Sequence, residues 1–78
     1  MMPRYVSKAH LRKFSPIDRK HPIIELVEDG NVLFDISISD ADVTEVTLHP
    51  GAANRVFLLG QLRAWLAEGE NISRGRDG

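Results

Sequence analysis

The sequence predicts an α+β fold in which a three-stranded antiparallel meander is packed by one C-terminal helix. Two observations support this prediction. Over residues 32–38, large apolar side chains stand at even positions and mostly polar ones at odd positions, which is typical of a strand with one buried face. Over residues 58–66, leucines and Trp65 recur at helical spacing, which indicates an amphipathic helix.

The turn between a first strand at residues 23–27 and the central strand is predicted from parity, that is, from whether the odd- or the even-numbered residues of each strand face the core. A three-residue loop over residues 28–30, with glycine in the left-handed conformation, places Phe34 opposite Ile24. A two-residue loop would instead place Phe34 opposite Glu25 and bring a carboxylate onto the buried face. We therefore expect the three-residue turn.

Parity also sets the third strand, at residues 43–48. With residues 40–42 as the loop, Ile36 pairs with Val46. A slip of one residue would turn the apolar set of this strand toward water, so the register is firmly specified.

Two starts are open for the helix. The favoured one is a single helix from near Gly51, ending at Gly69. In the other, residues 56–58 form a short fourth strand and the helix begins near Gly60, because glycine inside a helix costs about 1 kcal/mol relative to alanine. The predicted core comprises Ile24, Leu26, Val32, Phe34, Ile36, Ile38, Val46, Leu48, Leu59, Leu62 and Leu66.

Charge divides the chain into a basic arm and an acidic remainder. Residues 1–21 hold six of the ten Lys and Arg residues and one acid, a net charge of +5, whereas the remainder carries −6. We expect a basic arm over residues 1–21 that is mobile or ordered by contact, with a short helix capped by Ser7 as its local pattern. A β-β-β-α domain over residues 22–69 and a disordered tail over residues 70–78 follow.

Composition argues against several classes of function. The chain has no cysteine, which excludes disulfides and thiolate zinc sites, and no apolar run long enough to span a bilayer. A secretory signal is not expected, and the predicted location is the cytoplasm. Neither a nucleophile elbow nor a phosphate-binding glycine loop is found, and the three histidines lack metal-ligand spacing. We therefore predict no catalytic residue, no cofactor and no metal site.

The outer face of the predicted sheet is the candidate interaction surface. Carboxylates and apolar side chains are mixed there, as in binding patches. This predicts a non-catalytic module that binds a protein partner, expected to be basic, through this face or a sheet edge. Two alternatives are that the basic arm folds back over the face, or that two copies pair, because a sheet has two unpaired edges. The predicted partner-binding residues are Glu25, Leu33, Asp35, Val43 and Glu45.

The alternative function is nucleic-acid binding through the basic arm. Six cations are interleaved there with Tyr5 and Phe14, which offer rings for base stacking. A membrane helix is not expected, because the apolar stripe of the arm is too narrow. The cations are Arg4, Lys8, Arg12, Lys13, Arg19 and Lys20.

Overall fold

The computed structural model describes residues 4–76 and has an antiparallel sheet packed against one C-terminal helix, so the predicted α+β class is confirmed. The elements are β1 (Arg4–Tyr5), β2 (His10–Phe14), β3 (Ile23–Glu28), β4 (Asn31–Ile38), β5 (Thr44–Leu48), a 3₁₀ turn (Pro50–Ala52), β6 (Arg55–Val56) and α1 (Leu59–Ser73). Strands β2 to β5 form the sheet in sequence order, and β1 pairs with β6 in parallel.

The fourth strand of the sheet comes from the basic arm. Residues 10–14 pair antiparallel with β3, so this segment is neither a short helix nor separate from the domain. Val6, just before it, is buried in the core and donates its amide to Val56 O at 2.9 Å. The predicted boundary at residue 21 is not seen, because the arm supplies backbone partners to β3 and an apolar side chain to the core.

The hairpin between β3 and β4 corrects the predicted turn. Glu28 faces Asn31 across a two-residue loop in which Asp29 and Gly30 have φ of 51° and 80°, the paired left-handed conformations of a type I′ turn. A bulge beside Leu26 then shifts the register by one residue, so Phe34 lies opposite Leu26. The bulge restores the parity that the two-residue loop would have broken.

The hairpin between β4 and β5 has the predicted register, with Ile36 opposite Val46 and Phe34 opposite Leu48. The prediction that β5 contributes Val46 and Leu48 to the core is wrong, however, because Val46 is 48% exposed and Leu48 is 73% exposed. The helix packs on β3 and β4 and touches β2, which leaves the corresponding face of β5 largely uncovered.

The helix begins later and ends later than predicted. Arg55 and Val56 are held in β6 beside β1, so the favoured long helix from Gly51 is wrong, and α1 starts at Leu59, an exposed residue that was assigned to the core. Its last turns extend past Gly69 into the predicted disordered tail. Ser73, almost fully buried, ends the helix and donates its hydroxyl to Pro22 O at 2.7 Å.

Close packing of the helix on the sheet depends on Gly69. A Cβ built on this buried residue would lie 2.3 Å from Ile36 Cδ1 and 3.6 Å from Ile24 Cγ2, whereas one built on exposed Gly60 meets nothing within 4 Å. The glycine therefore sets the approach of α1 to the two central strands.

We expect the substitutions Gly60→Ala and Gly69→Ala to have opposite effects on stability. Gly60→Ala removes a helix-disfavouring residue at an open position and raises the free energy of unfolding by up to about 1 kcal/mol. Gly69→Ala has the same propensity gain, but it overpacks against Ile36, which costs about 1–3 kcal/mol. Urea unfolding of both variants measures the difference, and equal stabilisation by the two would contradict the close approach.

Candidate functional site

A buried ion pair between Glu28 and Arg55 connects the arm to the rest of the domain. The Arg55 Nη1 lies 2.5 Å from Glu28 Oε1, and both side chains are about nine-tenths buried. Arg55 also donates through Nε to Arg4 O and through Nη2 to Tyr5 O, while Glu28 Oε2 accepts the amide of Ser7 at 3.2 Å. One guanidinium and one carboxylate thus hold β1 and the start of the arm.

The same contacts shift the titration of Glu28. The hydrogen bond from Arg55 lowers the pKa of the Glu28 carboxyl, burial opposes this, and the amides of Ser7 and Lys8 lower it further. Sequence reasoning missed both members of this pair, since it placed Glu28 in a solvated turn. The Asp29-Gly30 pair that follows is the signal that could have placed Glu28 at a strand end.

Two of the predicted acids on the outer face have partners within the chain. Glu25 and Asp35 lie directly opposite each other on β3 and β4, an unfavourable arrangement for like charges. Arg12 Nη2 lies 2.7 Å from Glu25 Oε1, and His49 Nε2 lies 2.7 Å from Asp35 Oδ2. β2 therefore brings Arg12 of the arm onto this face. This corresponds to the alternative in which the basic arm folds back over the outer face of the sheet.

The predicted partner-binding residues do not form one surface. Leu33, expected on the wet face, is 1% exposed because the bulge beside it and the 3₁₀ turn packed on β4 place it in the core. Glu45 lies on β5 opposite Ser37, and Val43 lies at the end of the preceding turn; both are exposed. Only this β5 end of the set remains open, since Glu25 is ion-paired with Arg12 and Asp35 is hydrogen-bonded to His49.

The six cations of the alternative nucleic-acid surface are spread along the chain's first third. Arg4 lies on β1, and Arg12 and Lys13 lie on β2, where Arg12 is engaged by Glu25. Arg19 and Lys20 lie in the loop after β2 and line a polar groove of about 760 Å³. The same groove is also lined by Asp18, Asp40, Asp42 and Glu45, so these two cations share it with four acids.

The backbone of β5 is open along one side. Ser39 donates its amide to Val43 O, and His49 donates to Leu33 O, so the odd-numbered residues of this segment hold the hydrogen bonds to β4. In an antiparallel ladder the direction alternates with each residue. The N–H and C=O groups of Thr44, Val46 and Leu48 therefore point to the free edge.

Apolar side chains accompany this open edge. Val46 and Leu48 are exposed on the face of the sheet that carries the helix. Leu58 and Leu59 are exposed at the start of α1, directly after Phe57, whose ring packs 6.0 Å from that of Phe34, the cross-strand neighbour of Leu48. We call the open backbone of residues 44–48, with the Val46 and Leu48 side chains, the β5 edge.

The N-terminal end of β5 is held by the end of the helix. Arg74 donates to Asp42 Oδ1 at 3.0 Å and to Thr44 Oγ1 at 2.8 Å, and the Thr44 hydroxyl donates to Glu70. The Thr44 hydrogen bond lowers the pKa of the Glu70 carboxyl, and Asp42 raises the pKa of Arg74. The β5 edge is thus an ordered strand, since side-chain contacts hold its first residue.

Within residues 4–76, no cluster of three or more potential metal ligands is found. In the same range, every buried side-chain nitrogen and oxygen has a hydrogen-bond partner. None of the helices in the described part of the chain has the length and apolar character needed to cross a bilayer.

We expect the Glu28–Arg55 pair to govern stability at acid pH. Because the folded-state pKa of Glu28 is lowered, its contribution is complete above the ordinary value of 4.5 and is lost as pH falls through the folded value. Glu28→Gln leaves Arg55 buried without its charge partner, costs about 3 kcal/mol at neutral pH and makes stability less dependent on pH below 5. Urea unfolding against pH measures this, with Glu45→Gln as the control for loss of one charge. An unchanged acid limb in Glu28→Gln would contradict the assignment.

No family model, curated protein or solved structure matches this chain. What the protein does is therefore inferred from its own surfaces.

Proposed function

We propose that this chain is a non-catalytic protein-binding module that takes an extended segment of a polypeptide onto the β5 edge. The observation that carries the proposal is that β5 is an edge strand whose backbone groups and apolar side chains are both uncovered. Strand addition uses these two features together: the main chain supplies hydrogen bonds, and alternate side chains supply specificity.

The contrast between the two edges of the sheet supports this choice. Natural edges are blocked by charged side chains, proline or bulges. The other edge, β2, carries His10, Arg12 and Lys13, whereas the one charged side chain of β5 is Glu45. Of the two edges, β5 therefore has the fewer protective charges.

The engaged carboxylates of the outer face argue against selection of a basic partner by charge. Glu25 and Asp35 are engaged by Arg12 and His49, so the predicted acidic row is not free to attract cations. Recognition at the β5 edge instead rests on backbone pairing and on apolar contacts at Val46 and Leu48.

Selection of random peptides on the immobilised protein tests this function. We expect enriched peptides to carry an apolar residue at every second position and to protect the amides of Val46 and Leu48 from hydrogen exchange. Leu48→Lys, at a 73% exposed position, should weaken their binding at least tenfold, which is about 1.4 kcal/mol. Ile17→Lys, at a fully exposed apolar site in the loop after β2, is the matched control and should leave binding unchanged. Failure to enrich any peptide that distinguishes these two variants would overturn the proposal.

A second candidate function is the binding of single-stranded nucleic acid by the arm. It is favoured by Tyr5 and Phe14, whose rings are about half exposed among basic residues, as in surfaces on which bases stack. Fluorescence polarisation of a labelled oligonucleotide should show affinity that falls steeply with salt. The double substitution of Tyr5 and Phe14 by alanine should weaken it several-fold, and absence of binding at low salt would eliminate this candidate.

A further inference from the structure

We infer that the strand taken up by the β5 edge is β5 of a second copy of this chain, paired antiparallel with Thr47 on the two-fold axis. This inference rests on the proposed function and names the occupant of the same edge. Two-fold pairing brings the same surface of each copy together, so the strand must be complementary to its own reverse.

The side chains of residues 45–49 meet that condition. Reversed about Thr47, Glu45 faces the second copy's His49, Val46 faces its Leu48, and Thr47 faces Thr47. Apolar pairs and threonine pairs stabilise antiparallel strands, and so does a carboxylate opposite a histidine when that histidine is protonated. In the described part of the chain Glu45 takes part in no ion pair, so its carboxylate is available to a partner; His49 is one-third exposed beside Asp35.

The backbone of residues 45–49 is also complementary to its own reverse. His49 is extended, with φ −103° and ψ 161°, and its amide bonds to Leu33 O, so all five residues continue the strand. The backbone N–H and C=O groups at the free edge belong to even-numbered residues. The register centred on Thr47 places Val46 opposite the second copy's Leu48, so that two even-numbered residues face each other. Each of these two symmetric pairs then exchanges both hydrogen bonds, with Thr47 between them as a close, non-bonded pair.

Neighbouring registers are less favourable. Centring the pair on Glu45 would place two carboxylates directly opposite each other, which is destabilising. Centring it on Val46 would place His49 opposite the second copy's Val43 and bring the two Glu45 side chains onto a diagonal. A shift in the other direction is stopped by Pro50, which has no N–H and begins the 3₁₀ turn.

Pairing about this axis also assembles the uncovered apolar residues. A two-fold axis perpendicular to a continuous sheet keeps both helices on the same face. The Val46 and Leu48 side chains of the two copies then form one patch, in which each valine contacts a leucine. This arrangement covers part of the apolar surface that α1 leaves exposed.

Single cysteines test the register, because the chain has none of its own. Opposite residues in a non-hydrogen-bonded pair have Cα atoms about 4.5 Å apart, within reach of a disulfide. We expect Thr47→Cys to form a covalent dimer with oxidised glutathione. Glu45→Cys is the matched control: its two thiols would lie about 13 Å apart along the strand and should link many-fold more slowly.

Sedimentation equilibrium of the unmodified full chain gives an independent readout. We expect a concentration-dependent dimer, and Leu48→Lys, which enters the interface twice by symmetry, should weaken it by about 100-fold. Ile17→Lys should dimerise like the parent protein, which separates the β5 edge from other exposed apolar positions.

The outcomes separate this inference from the proposed function. A monomer at all concentrations, or equal linking of the two cysteine variants, overturns the second copy as the occupant; selected peptides that bind the edge would then still support strand uptake. Dimers that survive Leu48→Lys also overturn it, because they use another surface.

Discussion

Glu28 and Arg55 form the contact on which the arm, the first hairpin and the segment before the helix all depend. The guanidinium binds backbone carbonyls of β1, and the carboxylate binds amides of the residues that follow. Removing either partner would leave the other buried and uncompensated, a loss comparable with much of the stability of so small a domain. The pair thereby converts a basic N-terminal segment, which has little intrinsic structure, into β1, the buried Val6 and the edge strand β2.

The features of the fold that the sequence predicts correctly are those that follow from the alternation of apolar and polar residues along single strands. Alternation over β4 places Phe34 and Ile36 in the core, and the register with β5 follows from parity. The first hairpin was predicted wrongly because parity was applied to an unbroken ladder. The local signal of Asp29-Gly30 for a two-residue turn was correct, and a bulge reconciled the two constraints. A bulge leaves no distinct mark in hydrophobic periodicity, so the burial of Leu33 was not foreseeable from it.

The candidate site was predictable only in outline. Sequence reasoning identified a sheet edge as a possible contact and located Glu25, Asp35 and Glu45 on the outer strand positions. It had no means of assigning Arg12 to Glu25, because that contact requires the arm to be a strand. Residues 10–14 lack a regular apolar alternation, and their strand conformation depends on pairing with β3 rather than on their own propensity.

The capture of the arm and the exposure of β5 follow from the same geometry. A helix is about 10 Å across and adjacent strands are about 4.8 Å apart, so one helix covers two strands well and a third in part. In a three-stranded meander, α1 would be centred on β4 and would cover Val46 and Leu48. With β2 added, the sheet's centre moves toward β3, and Gly69 seats the helix against Ile24 and Ile36. The arm that completes one side of the sheet therefore leaves the apolar residues Val46 and Leu48 on the other side uncovered.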